Sequence, residues 1–221
     1  TSFYMRHKIL NAMENTIQSI QLSGITEIDE KEMNISFSGN HKIQDKNSTL
    51  PRKPYIRGRK SQKHKIKTDF TDRIMICTAV DRDNHIFISV GKAGTTALKE
   101  EDVIDIYKPH LKEATCLCSD GCYAYRALAQ KLEIELHAFT ANSKEKRGIY
   151  HINHVNYIHK AIKDYFYLHH GISSKYLNEY FALIAYRNMN KLTDIKTGLY
   201  ELVKCNCSVR WKNYVHKANI I

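Results

Sequence analysis

The sequence predicts an α/β fold, a mixed β-sheet flanked by helices with a long basic loop inserted after the first strand. Apolar runs of strand length recur along the chain, and segments with the apolar spacing of helices separate the later ones. Hydrophobic residues make up 43% of the sequence, which is enough for a buried core and too many for a disordered chain. Strands that alternate with helices are typical of a sheet covered by helices.

The predicted elements follow a definite order. A helical apolar spacing at 4–20 precedes an alternating strand at 25–29. Two apolar runs, at 73–80 and 85–90, flank a turn and predict a hairpin. Further along, strands at 114–120 and 134–139 alternate with helices at 95–108, 123–132, 153–168 and 173–189. Three early strands, the first separated from the hairpin by an insertion, followed by alternating helices and strands form the ribonuclease H-like order.

Local signals indicate where two of these helices begin and end. Thr95 or Thr96 is the expected cap of the 95–108 helix, and Pro109 is expected to end it. Ser173 or Ser174 is the expected cap of the last helix, because a hydroxyl can accept a hydrogen bond from a free backbone N–H.

The chain divides into a central domain with an extension at each end. We predict a helical lead-in at 1–24, a catalytic domain at 25–190 and a C-terminal extension at 191–221. Within the domain, residues 40–67 contain ten Lys or Arg, one Asp and two of the three prolines, with no apolar period. A loop of this length inside a compact domain is usually functional or disordered, and its charge favours function.

Charge and composition narrow the class of protein. The net charge is +11 and the isoelectric point is about 9.3, which favours a polyanionic partner such as nucleic acid over a basic metabolic enzyme. No apolar run approaches the roughly 18 residues of a membrane helix, and no signal peptide opens the chain. The six cysteines form no Cys-x-x-Cys pair, so we expect no zinc ribbon here. We expect the protein to act in the reducing cytoplasm, in association with DNA.

Two acids and one amide suggest a metal site. Asp29 and Asp120 each end a predicted strand, and the ends of parallel strands meet at one edge of a sheet. For either Asp alone, a helix cap or a turn is the simpler interpretation. Asn156 and Lys163 lie on the 153–168 helix about 20° apart, so they share one side of it. An amide oxygen can bind a metal and a lysine can contact phosphate, although such residues are usually ordinary surface residues.

The segment that follows Tyr150 carries a resemblance to a known family. It contains His151, Val155, Asn156, His159 and Lys163, followed by Gly171-Ile172-Ser173 and Lys175-Tyr176-Leu177. This pattern resembles the signature of bacterial insertion-sequence DDE transposases, in the branch whose third metal ligand is Asn. The stretches ITEIDEKEM, GNHK, LPRKP and IELHAF, together with the Asp120 segment, extend the resemblance over residues 3–190. Lys160, Ala161 and Ile162 depart from the Ser-Arg-Leu that is frequent in the family.

The resemblance implies a function and a set of site residues. It implies a ribonuclease H-like domain that cleaves DNA at the ends of a mobile element and joins them to target DNA, using two Mg²⁺ or Mn²⁺ ions. Asp29 would bridge the ions, while Asp120 and Asn156 would each hold one. A homo-oligomer would form in the DNA complex, and an upstream zinc ribbon is usual. The expected DNA contacts are Lys163, His159, Lys42, Arg52, Lys53, Arg57, Arg59 and Lys60.

Two alternatives remain open at this stage. One is an inactive transposase relic, which would bind DNA but no metal. The other is a different ribonuclease H-like nuclease, such as a junction resolvase, which would prefer branched DNA.

Overall fold

The computed structural model describes residues 2–38, 73–139 and 148–189, together with Lys204. The predicted basic loop at 40–67 and the C-terminal extension beyond residue 190, apart from Lys204, lie outside the described residues. Within the described part of the chain, no helix combines the length and the apolar character that crossing a membrane requires.

A five-stranded mixed sheet forms the centre of the domain. Its strands are β1 (Ser23–Asn34), β2 (Arg73–Asp81), β3 (Ile86–Ala93), β4 (Glu113–Ser119) and β5 (Glu135–Ala138), in the spatial order β3-β2-β1-β4-β5. The first three strands are antiparallel, whereas β4 is parallel to β1 and β5 is parallel to β4. This arrangement confirms the predicted α/β fold class and its ribonuclease H-like order.

In the described part of the chain, five helices cover the two faces of the sheet. They are α1 (Ser2–Gln18), α2 (Glu100–Tyr107), α3 (Tyr123–Leu132), α4 (Asn153–Leu168) and α5 (Leu177–Met189). Tyr107 of α2 and Tyr125 of α3 hydrogen-bond to groups of the sheet on one face, and α4 meets the opposite face through Glu27. On α1, the fully buried His7 imidazole contacts the Glu179 carboxylate, which fixes this helix against α5.

The hairpin between β2 and β3 follows directly from the local sequence. All residues of β2 after Arg73 are buried, as expected for an apolar strand inside a covered sheet. The turn contains Asn84 with a φ of 66°, a left-handed conformation that Asn adopts more readily than most residues. The Asp81 carboxylate accepts a hydrogen bond of 2.8 Å from the His85 N–H and closes the turn.

The first strand is longer than the sequence predicts. β1 continues to Asn34 because its residues Thr26 to Asn34 pair with β2 along their whole length. The charged residues after Asp29 conceal this strand, since they interrupt the apolar alternation. Asp29 therefore lies in the middle of β1, and its expected position at the end of the strand was wrong.

Two helix starts also differ from prediction. Helix α2 begins at Glu100, because Thr95 makes a local turn with Ala97 and the Asp102 carboxylate accepts a hydrogen bond of 3.1 Å from the Lys99 N–H. Helix α5 begins at Leu177 after a 3₁₀ turn, and neither serine caps it as expected. The Ser174 hydroxyl instead accepts a hydrogen bond of 2.8 Å from the Ser36 N–H.

Candidate metal centre

The pairing of β1 with β4 brings Asp29 and Asp120 close together. Thr26 pairs with Leu117 and Glu27 with Cys118, so the same register continued by two residues sets Asp29 opposite Asp120. Adjacent strands lie about 4.8 Å apart. Because β4 ends at Ser119, Asp29 lies at the point where its neighbouring strand stops. The carboxylate therefore reaches the sheet edge even though its own strand continues.

The electrostatic environment of Asp29 favours a bound cation. Burial, followed by the charges of Glu30 and Asp120, raises the pKa of the Asp29 carboxyl to about 7. A hydrogen bond of 2.9 Å from the Glu30 N–H to Asp29 Oδ1 acts in the opposite direction but does not prevent the rise. Only 17% of the side chain is exposed, so water screens the charges poorly. A divalent cation would relieve this repulsion directly.

Helices α2 and α3 support the strand beneath the acids. The Tyr107 hydroxyl lies within hydrogen-bond distance of the carbonyl oxygens of Asp29, at 3.2 Å, and Thr78, at 3.3 Å. The Tyr125 hydroxyl donates to the Glu30 carboxylate on the same face. Burial, followed by the charge of Asp120, raises the pKa of Glu30 against the effect of the Tyr125 hydrogen bond. Two buried tyrosines thus fix β1 at Asp29 and Glu30 through contacts on the face of the sheet that α2 and α3 cover.

Glu27 caps helix α4 from the sheet. The residue before α4 is Ile152, whose side chain has no group that could cap the helix. The fully buried Glu27 carboxylate supplies the missing acceptor, with hydrogen bonds from the His154 N–H at 2.7 Å and the Val155 N–H at 3.0 Å. A negative charge at a helix N-terminus is also favoured by the helix dipole. The strand that carries Asp29 therefore positions the helix that carries Asn156.

Glu27, His151 and His154 form a group with the composition of a metal site, but the Arg82 guanidinium already neutralises the Glu27 carboxylate. His151 Nδ1 lies 3.0 Å and His154 Nδ1 2.8 Å from Glu27 Oε1, a geometry that could hold an ion. The Arg82 guanidinium, however, contacts the same carboxylate and donates a hydrogen bond of 2.8 Å to the Ile149 carbonyl. A cation would meet this guanidinium directly, so we assign the group a structural role.

A second acidic group belongs to the hairpin. Asp81, Asp83 and His85 lie close enough to one another to share an ion. The Asp81 carboxylate already accepts hydrogen bonds from the His85 and Ser23 N–H groups, and Asp83 accepts one from the Ser23 hydroxyl. These contacts give both acids a structural role in the turn.

The three expected site residues on helix α4 differ in exposure: Asn156 and Lys163 are exposed, whereas His159 is buried. Asn156 is exposed in the first turn of α4, and Lys163 is exposed two turns later. His159 is buried, with 7% of its side chain exposed, and its Nδ1 lies 3.5 Å from Asp29 Oδ2. Burial lowers the pKa of His159 to about 4, so the imidazole is neutral at neutral pH. The expected DNA contact at His159 therefore needs correction, since the side chain faces Asp29 and offers little surface.

The remaining expected DNA contacts fall outside the described residues. Lys42, Arg52, Lys53, Arg57, Arg59 and Lys60 all belong to the segment between residues 38 and 73.

Sequence reasoning missed the residues that support the site. Glu27 alternates with Asp29 and therefore lies on the same face of β1, where a buried acid requires partners. The lack of a capping residue before α4 could also have pointed to Glu27, since a helix that begins after Ile152 needs a hydrogen-bond acceptor from elsewhere. Nothing local indicated Arg82, Tyr107 or Tyr125, because each reaches the site from a distant element.

The fold and the acidic pair together define a ribonuclease H-like domain with a candidate metal centre. The particular family follows from the sequence as a whole, because residues 21–188 match the ISXO2-like transposase domain. The chain therefore belongs to the ISXO2-like transposase domain family. No curated protein matches the chain.

Solved structures of Mos1 transposase are distantly similar to this chain. A pre-cleavage Mos1 transpososome has 13% identity and a TM-score of 0.30, over 92% of this chain and 63% of that chain. A Mos1 mariner paired end complex with Mn has 13% identity and a TM-score of 0.32, over 90% of this chain and 62% of that chain. The chain thus spans less than two thirds of these Mos1 chains.

Proposed function

We propose that this chain is the catalytic domain of a transposase that cleaves DNA at the ends of an insertion sequence and joins those ends to target DNA. The observation that carries the proposal is the parallel pairing of β1 and β4 up to Glu27 and Cys118, whose register leads to Asp29 and Asp120, in a chain of this transposase family. The raised pKa of Asp29 supports it. Burial, together with the charges of Glu30 and Asp120, leaves this carboxylate without enough compensating positive charge, which a bound cation would supply.

The residues present fit two hard divalent ions, Mg²⁺ or Mn²⁺. Carboxylate and amide oxygens are the ligands such ions prefer. Asp29, Asp120 and Asn156 would hold the ions. When bound, the ions activate the attacking oxygen and stabilise the leaving oxygen at the phosphate. The chain itself supplies a buried, rigid strand beneath the acids and a helix that is fixed to this strand through Glu27.

DNA is the proposed partner, and the exposed side of α4 is its proposed track. Lys160 and Lys163 are exposed on the helix that carries Asn156, so phosphates that approach the metal centre would meet their charges. Lys42, Arg52, Lys53, Arg57, Arg59 and Lys60 would add contacts, in keeping with the net charge of +11. We further propose that the protein acts in the bacterial cytoplasm and forms a homo-oligomer on DNA.

Strand cleavage with matched variants tests the proposed function. The substrates are duplexes that carry the DNA flanking the gene for this chain, with Mg²⁺ or Mn²⁺ present. We expect Asp29→Ala, Asp120→Ala and Asn156→Ala each to reduce cleavage by at least about 100-fold, because each removes an ion ligand. Asp105→Ala, at an exposed acid on α2, should leave cleavage unchanged.

Several results would reject this assignment. Cleavage that survives both Asp29→Ala and Asp120→Ala would show that the acidic pair is not the site. Salt-dependent DNA binding without any metal binding would identify an inactive relic. A preference for branched DNA over the flanking sequences would identify a junction resolvase.

A further inference from the structure

His159 is a buried polar residue next to the acidic pair. Its side chain is 7% exposed, and its Nδ1 lies 3.5 Å from Asp29 Oδ2. Its other ring nitrogen, Nε2, is also buried and has no hydrogen-bond partner among the described residues. The imidazole is therefore a buried polar ring whose Nδ1 faces the Asp29 carboxylate.

We propose that His159 is a ligand of the metal ion bound by Asp29, which makes the centre a mixed carboxylate–imidazole site that prefers Mn²⁺ to Mg²⁺. This inference rests on the proposed function, because it requires a metal at Asp29. Two ligand atoms at about 2.1 Å from one ion and at ordinary coordination angles lie roughly 3.0 to 3.4 Å apart. The 3.5 Å between His159 Nδ1 and Asp29 Oδ2 is close to that separation.

The position of His159 on α4 supports the same assignment. Asn156 and His159 are three residues apart, so they lie on adjacent turns of one side of the helix. A carboxylate followed three residues later by His is a recurring way for a helix to supply two ligands to metal sites in helical bundles. The hydrogen bonds between Glu27 and the N-terminus of α4 hold this helix in place over β1. Helix α4 would thus provide an amide oxygen and an imidazole nitrogen to the same centre.

Ligand chemistry gives the proposal its measurable consequence. Mg²⁺ binds almost only oxygen ligands, whereas Mn²⁺, although it also favours oxygen, accepts an imidazole nitrogen as a transition metal. Losing an imidazole ligand should therefore weaken Mn²⁺ binding much more than Mg²⁺ binding. If His159 only supports the Asp29 carboxylate, its removal would weaken both ions by a similar factor.

Calorimetric titration of the full chain with MnCl₂ and with MgCl₂ tests this consequence. We expect His159→Asn to raise the Kd for Mn²⁺ by about 10- to 100-fold and the Kd for Mg²⁺ by less than about 3-fold. His170→Asn, at an exposed histidine just beyond α4, is the matched control and should change neither value. Equal changes for the two ions, or no change, would overturn the proposal.

Pulsed electron paramagnetic resonance of the Mn²⁺-loaded wild-type chain tests the proposal without a substitution, so its result does not require any variant to fold. A nitrogen coordinated to Mn²⁺ produces a characteristic modulation of the spin echo, and ¹⁵N-histidine labelling should shift its frequency. We expect that modulation in wild type and in His170→Asn, and its loss in a folded His159→Asn. Mn²⁺ binding without nitrogen coupling would overturn this inference alone. No binding of either ion would overturn the proposed function as well.

Discussion

Asp29 is the residue of the candidate centre whose pKa is raised to about 7. Burial and two neighbouring carboxylates raise its pKa to about 7, so a large fraction of the metal-free protein holds a proton there at neutral pH. The same crowding that favours a divalent ion is unfavourable to the folded protein when no ion is bound. Stability and metal affinity should therefore depend on pH in opposite ways, which two measurements on purified protein can reveal.

The first prediction concerns the stability of the metal-free protein. The pKa of Asp29 rises from 3.8 in the unfolded chain to about 7 in the fold, so its contribution is fully present below pH 3.8 and is lost as pH rises through 7. Asp29→Asn should therefore raise the free energy of unfolding by roughly 2 to 4 kcal/mol at pH 8 and change it little at pH 4. Urea unfolding in a chelator measures this difference. Asp105→Asn serves as the control, and equal stability of Asp29→Asn and wild type at pH 8 would contradict the raised pKa.

The second prediction concerns metal binding. An ion must displace the proton from Asp29, so each bound ion should release a proton at low pH. The apparent Kd for Mn²⁺ should fall about tenfold per pH unit below pH 7 and become nearly constant above it. Titrations between pH 5.5 and 8.5 in buffers of different ionisation heat would also count the released protons. A Kd that does not vary below pH 7 would argue against Asp29 as the ligand.

At the scale of elements, the contact between β1 and the start of α4 links the strand to the helix. Glu27 is the connection, because its buried carboxylate binds two N–H groups of α4 and the Arg82 guanidinium. Asp29 is two residues further along the same face of β1, and Asn156 is in the turn that Glu27 caps. The geometry of the candidate centre thus depends on an acid that lies outside the proposed set of ligands.

The third prediction tests this link. Glu27→Gln should lower the free energy of unfolding by about 2 to 4 kcal/mol, because it leaves the Arg82 charge without its partner and weakens the helix cap. It should also weaken Mn²⁺ binding, since α4 loses its fixed position. Urea unfolding and calorimetry measure the two effects. Glu135→Gln, at an exposed acid of β5, is the control.

A double variant separates the charge from the cap. Arg82→Gln added to Glu27→Gln should recover part of the lost stability, because the unpaired guanidinium is then gone. Strict additivity of the two substitutions would show that Glu27 and Arg82 do not act together.

At the scale of the whole molecule, the sequence carries a marked excess of positive charge. The chain carries 34 Lys and Arg against 23 Asp and Glu, a net charge of +11. Lys160 and Lys163 contribute to this charge on the exposed side of α4, next to Asn156. These two lysines would attract phosphates to the helix that also carries an expected ligand.

The fourth prediction follows from that location. Lys160→Ala and Lys163→Ala should each weaken DNA binding and reduce the slope of log affinity against log salt concentration by about 1, because each removes one phosphate contact. Fluorescence anisotropy with a labelled duplex over a range of salt concentrations measures both quantities. Lys108→Ala, at an exposed lysine after α2, is the control. Slopes that match wild type would place the DNA elsewhere.

The sequence by itself determined the order and type of the described elements. Helices α3 and α4 begin and end where the apolar spacing predicts, because residues three and four apart must face the same core. The hairpin was equally clear, since two apolar runs flank a turn of polar residues. Asp29 and Asp120 were predicted to be neighbours, and the register of β1 with β4, continued two residues past Glu27 and Cys118, leads to these two acids. Their role as metal ligands stays a prediction, as does that of Asn156.

Only the tertiary structure decided how the site is supported. The length of β1 depends on pairing with β2, and the burial of His159 against Asp29 depends on where α4 crosses the sheet. Glu27 could cap α4 only once a strand 127 residues away had been folded against it. Apolar periodicity records which face of an element is buried, but it does not record which distant polar group meets it there. Hydrogen bonds and charge pairs between distant elements form only when packing brings them into contact, so no local pattern specifies them.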